Sequence, residues 1–128
     1  MILLIDRMNK LETAQKLEGR TKQFAIRIIQ TFCSLPKTEA ARIMGRQFLR
    51  SGTSVAAKYR AACRARSLAD FISKLAVVLE ETDETLFWLD LLADSKIVSP
   101  DSLKSVRGEC GQLVKIFSSS LATAKSNR

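Results

Sequence analysis

No histidine occurs among the 128 residues. Its absence removes Ser/His/Asp and Cys/His nucleophile systems, the Glu-x-x-His ligands of di-iron bundles and HExxH metalloprotease chemistry. Neither GxxxxGK followed by Ser or Thr nor GxGxxG is present, so nothing cradles a phosphate in a glycine-rich loop. The three cysteines, Cys33, Cys63 and Cys110, are odd in number and lack CxxC spacing. They supply neither a disulfide framework nor a zinc site, and they read as inert thiols in a reducing, cytoplasmic setting. The early apolar run Ile2 to Ile5 stops at Asp6, too short for a secretory segment. No later run approaches the ~20 apolar residues of a membrane span. These absences predict a non-enzymatic chain with no catalytic residues, cofactor, metal or membrane partner.

What the chain does have is helix-forming, charged sequence. Hydrophobic residues make up 46% and charged residues 27%, a balance that fits one globular domain over residues 1–128 rather than a disordered or membrane chain. Net charge is +8, and it is unevenly placed. Residues 1–66 carry 14 Lys/Arg against 4 Asp/Glu, residues 67–95 carry 1 against 7, and residues 96–128 carry 6 against 2. A basic half of this kind can meet nucleic acid, and the acidic segment can meet that basic half in the same chain or in a neighbour.

With only two prolines and five glycines, breaks fall at Ser34 to Lys37, Arg64 to Ser67 and Ser95 to Pro100. They leave four stretches that predict helices over about 11–34, 38–64, 67–94 and 99–124. The first places Leu17, Thr21, Phe24, Ile28 and Phe32 on one face. The second aligns Ala41, Met44, Phe48, Val55, Tyr59 and Ala62, with Gly45, Gly52 and Ala56 beside them for close approach of a neighbour. Ser51 to Ser54 is poor helix chemistry, so a break there is an open alternative. The third begins at Ser67, an N-cap with Asp70 three residues on, and follows with Leu68, Ile72, Leu75, Leu79, Thr82, Leu86, Leu89 and Ala93 in 4-3-4-3 spacing. The fourth opens with Ser99 as N-cap and Pro100 at the first helical position, and carries Leu103, Val106, Cys110, Leu113, Phe117, Leu121 and Ala124 on one face. The expectation is an all-α, up-down-up-down antiparallel four-helix bundle.

Leu35-Pro36, then Gln47 through Ala57, then Arg64-Ala65-Arg66-Ser67-x-x-Asp70-Phe71-Ile72-x-Lys74-Leu75, then Glu81-x-x-Glu84-Thr85-x-x-Trp88-Leu89 together resemble the bacterial four-helix-bundle family of proteins encoded by intervening sequences in 23S ribosomal RNA genes. The resemblance covers roughly residues 20–120. It implies helix through 51–54 and a ring-shaped homo-oligomer, typically a pentamer. Related members include the accessory protein of diversity-generating retroelements, so the resemblance also implies nucleic acid and a reverse transcriptase as partners. Lys58 and Ala61 depart from the family, which usually has Asn and Glu there, and this alters a polar network between the second and third helices.

Two faces are candidate sites. Arg42, Arg46, Arg50, Arg60 and Arg64 project from one side of the second helix, opposite its apolar stripe. Guanidinium groups along ~30 Å suit phosphate-backbone contact with RNA or DNA; with little aromatic interleaving, binding should tolerate any sequence. The alternative is a structural or adaptor oligomer whose arginines pair with acidic surfaces, and Arg50 in particular competes as a structural ion-pair residue. Glu80, Glu81 and Glu84 lie away from the seam of the third helix and suit ion pairing with a basic helix better than acid–base chemistry, since no further ligand completes a site. With Trp88 and Leu91 beside them, they are the predicted oligomer interface.

Overall fold

The computed structural model describes residues 2–128, with side chains from Leu11 onward. Four helices, α1 (Ile2–Cys33), α2 (Glu39–Cys63), α3 (Leu68–Asp94) and α4 (Pro100–Ser126), make a four-helix bundle with no strand among the described residues. The connections 34–38, 64–67 and 95–99 are short, so consecutive helices run antiparallel. Each helix packs on the next, and α4 returns beside α1 at a wider spacing.

α1 starts nine residues before the predicted position, because no proline or glycine interrupts the chain before Leu11. α2 runs unbroken through Ser51 to Ser54, against propensity and for visible reasons. Thr53 Oγ1 donates to the Leu49 carbonyl at 2.7 Å, and Ser51 Oγ, fully buried, accepts from Thr85 Oγ1 of α3 at 2.8 Å. Gly52 faces α1, where an added Cβ would lie 2.8 Å from two carbons of Ile28; at Gly45 it would lie 2.7 Å from Leu35 Cδ1. A side chain at Gly52 would have to move the stiff, β-branched Ile28 and with it α1, whereas at Gly45 the closest atom is the tip of the Leu35 side chain in the α1–α2 connection.

The caps follow the sequence in one case and not in another. Ser67 Oγ accepts from the Asp70 N–H at 3.0 Å, and the Asp70 carboxylate accepts in turn from the Arg66 N–H at 3.1 Å. Ser99 flanks α4 as predicted, but its side chain makes no cap bond; with Pro100 at the first position, a donor is already missing there. α3 ends where Lys96 adopts φ 60°, a left-handed closure usually given to glycine.

The core combines the predicted faces of all four helices, including the whole predicted face of α4. On α3 the buried set is wider than the 4-3 seam: Val78, Thr85 and Leu92 are buried as well, while Leu68 is exposed. The reason is that α3 contacts both α2 and α4, and two neighbours require a broader apolar arc than one seam supplies.

Candidate nucleic-acid interface

Positions 42, 46, 50, 60 and 64 all lie on the exposed side of α2. The 18 residues from Arg42 to Arg60, and from Arg46 to Arg64, are five full turns, so two arginine pairs share one azimuth about 27 Å apart along the axis. Arg46, Arg60 and Arg64 have no carboxylate partner among the described residues, and Arg42 meets only exposed Glu39, at 2.8 Å. The face gains a member from α1 that the sequence reading missed. Lys22 lines a shallow α1–α2 groove of about 580 Å³ with Arg60 and Arg64, opened by Gly19, Ala56 and Ala57; Glu18 is its one carboxylate. Only the packing of α1 against α2 brings Lys22 there.

Arg50 separates from the other four. Its Nη2 donates to both oxygens of Glu84, at 2.9 and 2.7 Å, and Nη1 reaches Glu81 Oε2 at 3.5 Å. Lys58 Nζ pairs with the other oxygen of Glu81 at 3.2 Å. Lys58 thus joins the polar network between α2 and α3. Glu84 raises the Arg50 pKa further above its usual value; burial pushes the Glu84 carboxyl up, but hydrogen bonds from Arg50 and Trp88 outweigh it and hold the group below the usual carboxylate range. Arg50 is therefore a strut between α2 and α3 rather than a free phosphate ligand.

The same network revises the acidic face of α3. Glu81, with 12% of its side chain exposed, and Glu84 are turned toward α2 and satisfied within the chain. Trp88 is half-buried against the core, and its Nε1 lies 3.4 Å from Glu84 Oε1. Of the five residues grouped on this face, Glu80 and Leu91 remain exposed. The exposed aromatic is Phe87, 55% accessible and edge-on to Trp88 at 5.1 Å. Its place on the outer face could have been found from its helical position relative to the buried residues.

Among the described residues no three His, Cys, Asp or Glu side chains come together as a metal site, and no helix is long and apolar enough to cross a membrane. Cys110 is buried, its thiol pushed up to about 12 by desolvation, which leaves it protonated and unreactive at neutral pH. A cleft of about 730 Å³ at the end of the bundle where α2 meets α3 is lined by Leu17, Tyr59, Cys63, Phe71 and α4 hydroxyls, with no charged residue among the described ones. None of these lining residues carries a positive charge, in contrast to the outer surface of α2 and its α1 border.

A solved structure from Bacteroides thetaiotaomicron, a protein of unknown function from the S23 ribosomal protein family, is similar to this chain. The two are 32% identical with a TM-score of 0.78, over 85% of this chain and 97% of the other. No curated protein matches the sequence. Residues 10–119 match the 23S rRNA-intervening sequence protein family, a span that takes in α2 and α3 whole, most of α1 and α4, and both arginine pairs. This chain belongs to the 23S rRNA-intervening sequence protein family.

Proposed function

We propose that this protein is a non-enzymatic homo-oligomer that binds the phosphate backbone of RNA or DNA through α2, with little sequence preference. The observation that carries the reading is the pair of arginine pairs, Arg42/Arg46 and Arg60/Arg64, on one azimuth of α2 with no buried partner for any of them. A single counter-charge, Glu39, is itself exposed and exchangeable. The five-fold ring and a reverse transcriptase as protein partner are the family-level extensions of this reading.

Four exposed arginines per copy, Arg42 with its exchangeable Glu39 partner among them, set an expectation for salt. Each neutralised phosphate contributes about −0.9 to the log–log slope on duplex and about −0.7 on single strands, so full engagement gives about −3.6 or −2.8 per copy. Fluorescence anisotropy with duplex and single-stranded RNA and DNA at stepped salt measures this directly. Arg42→Glu with Arg46→Glu should weaken binding to every sequence alike, whereas Arg50→Gln should leave the slope unchanged. Absence of binding to any nucleic acid at low salt overturns the proposal and favours an adaptor oligomer whose arginines dock an acidic protein surface.

A further inference from the structure

The bundle is not filled to its end. Where the last turns of α2 and α4 meet the first turn of α3 beside α1, an open cleft of about 730 Å³ remains. Its origin lies in the side chains that converge there. Ala14 of α1, Ala62 of α2, Ser120 and Ala124 of α4 and Ala65 in the α2–α3 connection are all small, and α4 stands off from α1 at a wider spacing. Deeper in the bundle the interior is taken up by phenylalanines: Phe24, Phe48 and Phe117 are buried. Tyr59 closes the inner wall of the cleft with its ring on Phe117, the centroids 5.3 Å apart.

The lining is uniform in charge and uneven in hydrogen bonding. None of the described lining residues is ionised at neutral pH: Leu17, Leu68 and Phe71 give apolar surface, and hydroxyls give most of the polar surface. Elsewhere in the fold buried hydroxyls are paired. Those of Thr21, Ser51, Thr82 and Thr85 each donate to a carbonyl of the preceding helical turn. Tyr59 is only 5% exposed, yet its hydroxyl has no oxygen or nitrogen partner among the described residues; it meets the Cys63 thiol, a weak acceptor. Burial pushes the Tyr59 phenol up, so at neutral pH it keeps its proton and stays a donor. A buried donor held only by sulfur gains from an added oxygen acceptor.

Volume decides what kind of molecule supplies that acceptor. One turn of α-helix, a cylinder about 10–12 Å wide and about 5.4 Å tall, takes up roughly 400–600 Å³. The cleft therefore holds little more than a single turn, too short a segment to dock as a helix. Small-molecule sites, by contrast, run to about 300–1,000 Å³, mostly apolar with a few polar groups that fix orientation. We propose that the end cleft binds an uncharged, mainly apolar small molecule carrying a carbonyl, ether or hydroxyl oxygen, with Tyr59 donating to that oxygen and Leu17, Leu68 and Phe71 against the apolar body. An anion would leave water for a surface without a cation, a cost that an uncharged ligand does not meet.

Nile red, an uncharged dye with a ring carbonyl, is the probe, titrated with the full chain and read by the rise and blue shift of its fluorescence. Saturable binding is expected, and none at tens of micromolar overturns the proposal. 1-Decanol should displace the dye at least about ten-fold better than decanoate, the same chain with a charged head; equal displacement by decanoate overturns the uncharged class. Ser120→Trp, at a half-buried position in the lining, fills the cleft and should weaken dye binding at least about ten-fold. Tyr59→Phe, which keeps the ring on Phe117, should weaken it about three- to ten-fold, and unaltered affinity removes Tyr59 as the orienting donor. Phe87→Ser, at an exposed position of α3 outside the cleft, should change nothing. A loss in Phe87→Ser, or full binding by Ser120→Trp with unchanged helical circular dichroism, places the dye elsewhere and overturns the assignment. The native lining gives a second readout, independent of whether the tryptophan variant folds. In Cys33→Ser, saturating 1-decanol should slow alkylation of Cys63 by N-ethylmaleimide several-fold, followed by mass spectrometry, and an unprotected Cys63 overturns the proposal.

Discussion

α1 touches both α2 and α4, and the two contacts are built from different materials. Against α2 it lays Ile28 onto the bare backbone of Gly52 and Phe32 beside Gly45, an apolar contact with no room for one more carbon at Gly52. Against α4 it reaches across a wider gap with long polar side chains. Arg20 grips both oxygens of Glu109, at 2.8 and 2.7 Å, and the Gln112 carbonyl at 2.9 Å, while Arg27 donates to Ser105 at 2.6 Å. Shape decides the first contact, and it is indifferent to pH and salt. Charge supports the second, so conditions can loosen one side of α1 while the other stays closed.

The largest expected effect comes from filling the glycine contact. Gly52→Leu gains helix propensity, about 1 kcal/mol, but must displace α1, and overpacking costs about 1–3 kcal/mol, at the upper end here because the stiff, β-branched Ile28 cannot turn aside. Urea denaturation should show the net loss, and an unchanged midpoint would mean that α1 is not held this closely. Gly108 sharpens the point, since nothing lies within 4 Å of an added Cβ there. Gly108→Ala should stabilise by about 0.5–1 kcal/mol: the same residue type on another face, with the opposite sign.

A smaller effect, about 1 kcal/mol, is expected for Arg20→Ala, which removes the partly exposed clamp on α4. The pH dependence identifies its origin. The hydrogen bond from Arg20 holds the Glu109 carboxyl below its usual range in spite of burial, so near that range the native state binds fewer protons than the unfolded chain. The stabilisation is then complete above the ordinary glutamate value of about 4.3 and is lost as pH falls through the lower native value. In Arg20→Ala that acid-side slope should flatten; an unaltered slope would place it on another carboxylate. Smallest of all is Lys96→Gly, which relieves the left-handed turn after α3 and should raise stability by up to about 1 kcal/mol, a gain of a few degrees in Tm.

Much of the bundle was legible because helix faces are local. The spacing of Leu103, Val106, Cys110, Leu113, Phe117, Leu121 and Ala124 identifies the inner face of α4, and every one is buried. The Ser67–Asp70 cap was equally readable, since all its atoms lie within four residues. Ser99 and Lys96 were less so. A serine at the right position makes no cap bond, and a helix can close on a lysine where no glycine announces the end. The candidate site divides along the same line: azimuth around α2 placed five arginines on one side, but azimuth says nothing of what a neighbouring helix sets opposite them.

The sequence by itself therefore determined the helices, their inner faces, the sign of charge along the chain and the exclusion of histidine chemistry, because each depends on residues within a few turns of one another. Tertiary structure decided that Arg50 is held by Glu81 and Glu84, that Lys22 borders Arg60 and Arg64, and that Trp88 turns inward while Phe87 is left in water. Those outcomes depend on the register and rotation of one helix against another, which residues distant in sequence set jointly: Gly52 on Ile28, and Ser51 on Thr85.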